Sequence, residues 1–258
     1  MEIDSSTPQS ARIWNYWLGG KDHYAADREA GDAVIAQIPD IPEGARAERA
    51  FLVRAVRHVV GDGVRQFLDV GTGLPTANNT HEVAQRLAPE SRIVYVDNDP
   101  IVLAHARALL TSTSEGRTDY LDADLRQPQE ILAAAKRTLD FGRPIGLMLL
   151  GVVNHLMDDG EAYSVVRELV DALPAGSFLV LTHSTAEVHG ERMLRAMRET
   201  TERGGTPIRA RTAAEIEGLF AGTELLEPGV TSCSQWRPDT TDETPAPVYL
   251  FGGVGRVG

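Results

Sequence analysis

Hydrophobic residues along this chain fall into short dense runs, separated by longer stretches of helical spacing. Val64-Arg65-Gln66-Phe67-Leu68-Asp69-Val70 is a compact β-rich run that ends at Gly71-Thr72-Gly73. Arg92 to Asp97 is a second and Thr118 to Asp124 a shorter third, and both end on an acid. Ile145 to Leu150 is almost wholly apolar, and Ser177 to Thr182 makes a fifth. Runs of this kind are what strands buried on both faces of a parallel sheet require. Between them, residues 76–87, 100–110, 130–139 and 161–173 carry apolar side chains at helical spacing. Pro100 suits a first helical position, and Pro174-Ala175-Gly176 closes the last of these segments. Strand and helix alternate, so the pattern predicts an α/β doubly wound sheet.

The C-terminal part reads differently. Thr212 to Phe220 predicts a helix opened by a Thr cap, Thr223 to Leu226 a short strand, and Val248 to Gly253 a last strand beyond a polar loop at 237–247. Two strands joined by a loop without a helix suit an antiparallel pair. The expected fold is therefore Rossmann-like, a mostly parallel seven-stranded sheet with one antiparallel strand near the C-terminus. The residues before the first strand show helical periodicity broken at Gly19-Gly20-Lys21-Asp22 and at Pro39-Asp40-Ile41-Pro42, and carry Trp14, Tyr16, Trp17 and Tyr24. Residues 1–62 are expected to form a helical cap or lid on a ligand-binding domain of 63–258.

Composition narrows the function. The chain has 258 residues, 42% hydrophobic and 24% charged, enough to bury a core. A net charge of -12 argues against binding nucleic acid through a broad basic face, and reads as a solvated acidic surface. The lone cysteine, Cys233, allows neither an intrachain disulfide nor a cysteine-rich zinc site. The N-terminus is acidic and polar, and the longest apolar run, 144–153, is too short for a bilayer. The expectation is a soluble, cytoplasmic protein with no membrane partner.

The candidate chemistry lies at the strand ends. Gly71 and Gly73 allow a tight turn and close approach of a ligand to the backbone. Asp97 can accept hydrogen bonds from both hydroxyls of a ribose, and Asp124 from an adenine amino group. Two adenosine ligands compete for this pattern. The dinucleotide fingerprint calls for a third glycine where this chain has Thr76 after Pro75, which disfavours an NAD(P)-dependent oxidoreductase. S-adenosylmethionine (SAM) carries a sulfonium and an amino group, which suit the acid-bearing run Leu68-Asp69-Val70 better than phosphates would. Candidate cofactor-binding residues are Gly71, Thr72, Gly73 and Asp97, then Asn98, Asp124, Leu125 and Gly151. Tyr16, Gly20 and Lys21 join them from the N-terminal segment, where paired glycines suit the hinge of a lid. Ile13, Trp17 and Leu18 are expected to pack on the body of the protein.

Three segments together resemble a bacterial family of predicted class I SAM-dependent methyltransferases, long filed as a domain of unknown function. They are Ala11-Arg12-Ile13-Trp14-Asn15-Tyr16-Trp17-Leu18-Gly19-Gly20-Lys21-Asp22, Phe67 to Thr76 with its Gly71-Thr72-Gly73-Leu74-Pro75 core, and Val94 to Pro100. The resemblance covers nearly the whole chain. It implies the class I methyltransferase fold and SAM binding at Gly71, Gly73, Asp97 and Asp124, and supplies no acceptor. Pro75 stands where a glycine is common in methyltransferases generally.

Methyl transfer is an in-line displacement, so an enzyme contributes alignment, and a base where the nucleophile must lose a proton. Ligands of open α/β sheets lie off the carboxyl ends of the strands. Gly151, Asn154, His155, His183 and Ser184 are best placed there, and His155 and His183 are the candidate catalytic bases. His58, His81 and His105 read as surface or helix-end residues, and Arg192 to Arg211 as a solvated helix and loop. His23 and Asp27 lack a third ligand, so no metal is expected. P-loop and hydrolase-elbow sequences are missing. The expected function is methyl transfer from SAM to an unidentified small-molecule acceptor. The alternative is a non-catalytic SAM-binding or regulatory protein.

Overall fold

The computed structural model describes residues 5–99, 101, 102, 104, 112–239 and 244–258. The helix expected over 100–110 falls mostly outside the described residues, as does His105. The apolar runs become strands β1 (Gln66–Val70), β2 (Arg92–Asp97), β3 (Arg117–Asp122), β4 (Gly146–Leu150) and β5 (Phe178–Ser184). Three more follow, β6 (Thr223–Leu225), β7 (Thr231–Ser232) and β8 (Leu250–Val257). The described helices are α1 (Ser10–Trp17), α2 (Ala25–Gln37), α3 (Ile41–Gly61), α4 (Thr80–Leu87), α5 (Pro128–Ala135), α6 (Asp159–Asp171), α7 (Glu191–Glu202) and α8 (Ala213–Gly218).

The sheet runs β3-β2-β1-β4-β5-β8-β6, and the two-residue β7 also pairs with β8. Strands β1 to β5 pair in parallel, while β8 is antiparallel to β5, β6 and β7. The last strand is longer than the run at 248–253 suggested. Its glycines are required by close neighbours: a Cβ on Gly252 would lie 2.7 Å from the Leu181 carbonyl, and one on Gly255 2.2 Å from the Thr223 hydroxyl. The order in which strands are added to the sheet reverses between β1 and β4, which opens a crevice at their carboxyl ends.

Alternation along each strand divides the core into two layers. Phe67, Ile93, Tyr95, Met148 and Val180 point to one face, where α3 covers them with Phe51, Leu52, Ala55, Val56 and Val59. Leu68, Val94, Leu147, Leu149 and Leu181 point to the other, against Ile131 of α5 and Val165, Val166 and Leu169 of α6. Helix α3 is thus part of the first layer, with α1 and α2 beyond it. The buried Asp27 ties α1 to α2: it accepts from the Gln9 amide at 2.9 Å, the Tyr24 amide at 2.8 Å and Arg12 Nε at 3.1 Å. Helix α2 leans on α7, where Gln37 Nε2 donates to Glu199 at 3.0 Å.

Two expectations need correcting. The segment from Arg192 is not wholly solvated, since Met193 and Ala196 of α7 enter the core and Arg211 is buried. His81 is also buried, its ring nitrogen 2.8 Å from the Tyr95 hydroxyl. His81 lies three residues before Ala84 and so shares the helix face that meets the sheet. Asn79 and Glu82 form a capping box, so 76–79 are loop and the helix begins at Thr80. Among the described residues no helix is long and apolar enough to cross a membrane, and no His, Cys, Asp and Glu cluster could hold a metal.

Candidate active site

Beyond β1 the chain turns sharply, with Gly71 at φ +76° and Gly73 at φ +64°. A Cβ on Gly71 would also lie 2.3 Å from Val152, whereas Gly73 faces open space. Glycine is therefore demanded twice over at 71, by angle and by room, and once at 73. The Gly73 amide donates to Asp97 Oδ2 at 2.9 Å, and Asp97 Oδ1 accepts from the Asp99 amide at 2.9 Å. The acid ending β2 is thus clamped against the turn that follows β1. Burial holds its carboxyl above the usual carboxylate range, and the backbone donors oppose that rise. Asp124 accepts from the Arg126 amide at 2.8 Å, and Asn98 Nδ2 reaches it at 3.4 Å.

These residues border a cavity of about 440 Å³ at the carboxyl ends of the strands. Gly71, Thr72, Gly73 and Asp97 line it, as do Asn98, Asp124, Leu125 and Gly151. Asp69 lies at its floor, buried, accepting from the Thr80 hydroxyl at 2.6 Å. Burial pushes its carboxyl up to about 6, with Thr80 and Arg49 pulling the other way.

The far end of the cavity is built from α3, the ends of β4 and β5, and the residue just before β8. Glu48 and Arg49 line it, with Tyr249, Asn154 and Ser184. Thr182 of β5 donates its hydroxyl to Glu48 Oε1. Burial raises the Glu48 carboxyl to about 7 against that hydrogen bond and Arg49. A Cβ on Gly151 would lie 3.6 Å from both Glu48 Oε1 and Asn154 Nδ2, so these two groups flank the end of β4. Asn154 is fixed in turn, accepting from the Ser184 amide at 2.9 Å and donating to its hydroxyl at 3.2 Å. Arg49 donates to the carbonyls of Ala77 and Asn78 at 3.1 and 2.8 Å, while its buried Nε has no hydrogen-bond partner. The Tyr249 hydroxyl is likewise buried and unpartnered.

Helix α1 roofs the cavity with Ile13, Trp14, Asn15, Trp17 and Leu18, so Trp17 and Leu18 face it as well as pack. The Trp14 and Trp17 rings meet edge to face at 5.7 Å. Tyr16, Gly20 and Lys21 stay outside the lining. The Tyr16 hydroxyl donates to Asp32 at 2.5 Å, Gly20 packs on the Asn15 side chain, and Lys21 is exposed.

The two histidines differ. His155 lines the cavity; its Nδ1 donates to the Pro207 carbonyl at 3.0 Å, leaving a lone pair on Nε2, and burial lowers its pKa. His183 is fully buried outside the lining. Its Nδ1 donates to the Ser184 carbonyl at 2.9 Å and its Nε2 accepts from Arg211 at 2.7 Å. Burial lowers it to about 4, and no lone pair is left for a base's work. Sequence reasoning missed Glu48, Arg49 and Tyr249. Glu48 alone carried a signal, because it stands in helical phase with Ala45, Leu52 and Ala55 on the buried stripe of α3.

The model of the S-adenosyl methyltransferase family matches residues 1–258. The chain belongs to that family. This methyltransferase is 45% identical to a DUF574 family protein from Streptomyces avermitilis MA-4680, whose crystal structure matches over 100% of both chains with a TM-score of 0.94. A crystal structure from Thermobifida fusca YX matches at 39% identity over 98% of this chain and 96% of that one, with a TM-score of 0.89. Magnesium protoporphyrin IX methyltransferase from Synechocystis PCC 6803, solved with bound SAM, shares the fold at 14% identity over 95% and 90% of the two chains, with a TM-score of 0.54. None of the curated proteins compared with it matches. The protein is a SAM-dependent methyltransferase of Rossmann-like fold, with SAM as its cofactor.

Proposed function

We propose that this methyltransferase holds SAM along the ends of β1, β2 and β3 and methylates a small molecule bound beneath α1. The observation that carries the reading is a cavity that runs from the acid-ended strands to residues of α1 and α3 and to Tyr249, just before β8. Its volume of about 440 Å³ suits a small-molecule site. The net charge of -12 offers no broad face for nucleic acid.

The donor set fits the cofactor. Asp97 supplies acceptors for ribose hydroxyls and Asp124 for the adenine amino group. Gly71 and Gly73 let the methionine end approach the backbone. The unpartnered Arg49 Nε suits its carboxylate, and the buried Asp69 suits its amino group. When bound, the sulfonium supplies an activated methyl carbon, whose bond to sulfur breaks with its electrons going to sulfur as a nucleophile's pair forms the new bond. Helices α1 and α2, fastened to each other by Asp27, serve as the lid that keeps water from the chamber. His155 belongs to the wall, its carbonyl held at 2.8 Å by Arg126. The buried free thiol of Cys233 accords with a cytoplasmic setting.

Calorimetric titration with SAM, S-adenosylhomocysteine and NADH tests this reading. Micromolar binding of both sulfur ligands, on the order of -8 kcal/mol, is expected, with none for NADH. Asp97→Ala is expected to weaken it by roughly 10- to 100-fold, the worth of a charge-assisted hydrogen bond or two. A folded protein that binds neither sulfur ligand would overturn the assignment.

A further inference from the structure

The chamber under α1 contains a carboxylate without a counter-ion. Glu48 makes no ion pair among the described residues, and only Oε1 has a hydrogen-bond partner, Thr182. Arg49, next along the helix, sends its guanidinium to the carbonyls of Ala77 and Asn78. The other titratable groups felt at Glu48 are Tyr249 and Cys233, both held protonated by burial. Fixing a lone acid in a buried site is costly unless something else completes the pair.

We propose that the acceptor is an amine with an apolar or aromatic body, bound as its ammonium ion on Glu48, which then takes its proton. The inference rests on the methyltransferase reading of the cavity given above. Glu48 stands beside Gly151 at the end of β4, where an acceptor must lie to meet a cofactor held along β1 to β3. Thr182 fixes the carboxylate by one oxygen and leaves Oε2 for the ligand. The unpartnered Tyr249 hydroxyl gives the ammonium a second acceptor in the same chamber. Trp14 and Trp17 offer ring surfaces for a cation's organic body, and Met193 and Met197 offer a deformable apolar wall.

The chemistry follows from the charge. An ammonium ion has no lone pair, so it cannot attack until a proton leaves. The proton passes from nitrogen to Glu48 Oε2, nitrogen keeps the electron pair, and the two opposite charges cancel in place. Burial brings the carboxyl close to neutrality in proton affinity, which narrows the gap to an amine near 10. An alcohol would bring no cation to pair with Glu48 and a far weaker acid to deprotonate. His155 is a poorer candidate, because burial favours its neutral imidazole, which brings no negative charge to pair with an ammonium ion.

The test uses protein saturated with S-adenosylhomocysteine at pH 8. Calorimetry compares tryptamine and 2-phenylethylamine with the alcohols of the same shape, tryptophol and 2-phenylethanol. Each amine is expected to bind at least tenfold tighter than its alcohol, with that preference lost in Glu48→Gln and S-adenosylhomocysteine affinity unchanged. Difference infrared spectroscopy of the wild-type protein at pH 7 supplies an independent readout, in which tryptamine should remove a protonated-carboxyl band. Equal binding of amine and alcohol, binding of neither, a preference that survives Glu48→Gln, or an unmoved carboxyl band each overturns the proposal. Failure of the wild-type protein to bind S-adenosylhomocysteine would instead strike the cofactor assignment, a separate result.

Discussion

Glu48 and Asp69 are buried acids whose folded-state proton affinities, about 7 and about 6, exceed their ordinary values of 4.5 and 3.8. The folded state therefore binds protons more readily than the unfolded chain between roughly pH 4 and 7. The stability these groups contribute is fully present below that window and is lost as pH rises through it. Glu48→Gln removes one of the two charges. In thermal melts of the free protein, the variant is expected to match wild type near pH 5 and to exceed it at pH 8 by on the order of 1–3 kcal/mol. A variant less stable at pH 8 would count against burial as the cause. The same residues show what a sequence can disclose about a site. Asp97 and Asp124 were legible because each follows a strand-like run and the fold class dictates where strand ends go. Glu48 was legible only as a polar position in phase with Ala45, Leu52 and Ala55, which marks burial but not a place in the site. Its carboxylate is fixed by Thr182, which is 134 residues away. His81 misled because its charged neighbours drew the eye from its spacing to Ala84, which puts it on the buried face.

At the scale of elements, the strands were legible as apolar runs because burial on both faces leaves no room for polar alternation. The last strand was read as ending at Gly253, since Gly255 beyond it has poor strand propensity and is required instead by the Thr223 side chain against it. The N-terminal helices were legible as helices, but not their partition, with α3 in the sheet's core layer and α1 over the cavity. The joint between α1 and α2 is a buried ion pair in which Asp27 also accepts two backbone amides. Removing Asp27 takes away the acceptor that Arg12 and two backbone amides share. Asp27→Ala is expected to cut amide-exchange protection over residues 10–17 by on the order of 10- to 100-fold, while β1 and β4 keep theirs. Uniform loss across the sheet would show instead that α1 and α2 unfold only with the whole protein.

For the whole molecule, β8 is the joint on which the sheet depends. It pairs along its length with β5 on one side, and on the other it is the partner of β6 and β7. A chain lacking residues 250–258 is expected to lack a cooperative melt and to aggregate, because β5 becomes a bare edge and Leu250 and Val254 leave the core. A soluble, cooperatively melting truncation would show that the parallel half is a folding unit by itself. The position of β8 also has a meaning in time. Synthesis adds residues at about 5–20 per second, and β6 and β7 come off the ribosome before the strand they must join. For several seconds the nascent chain carries the open flank of β5 without its partner. That interval makes it a ready client for a chaperone, and it closes when one late strand threads between neighbours already made.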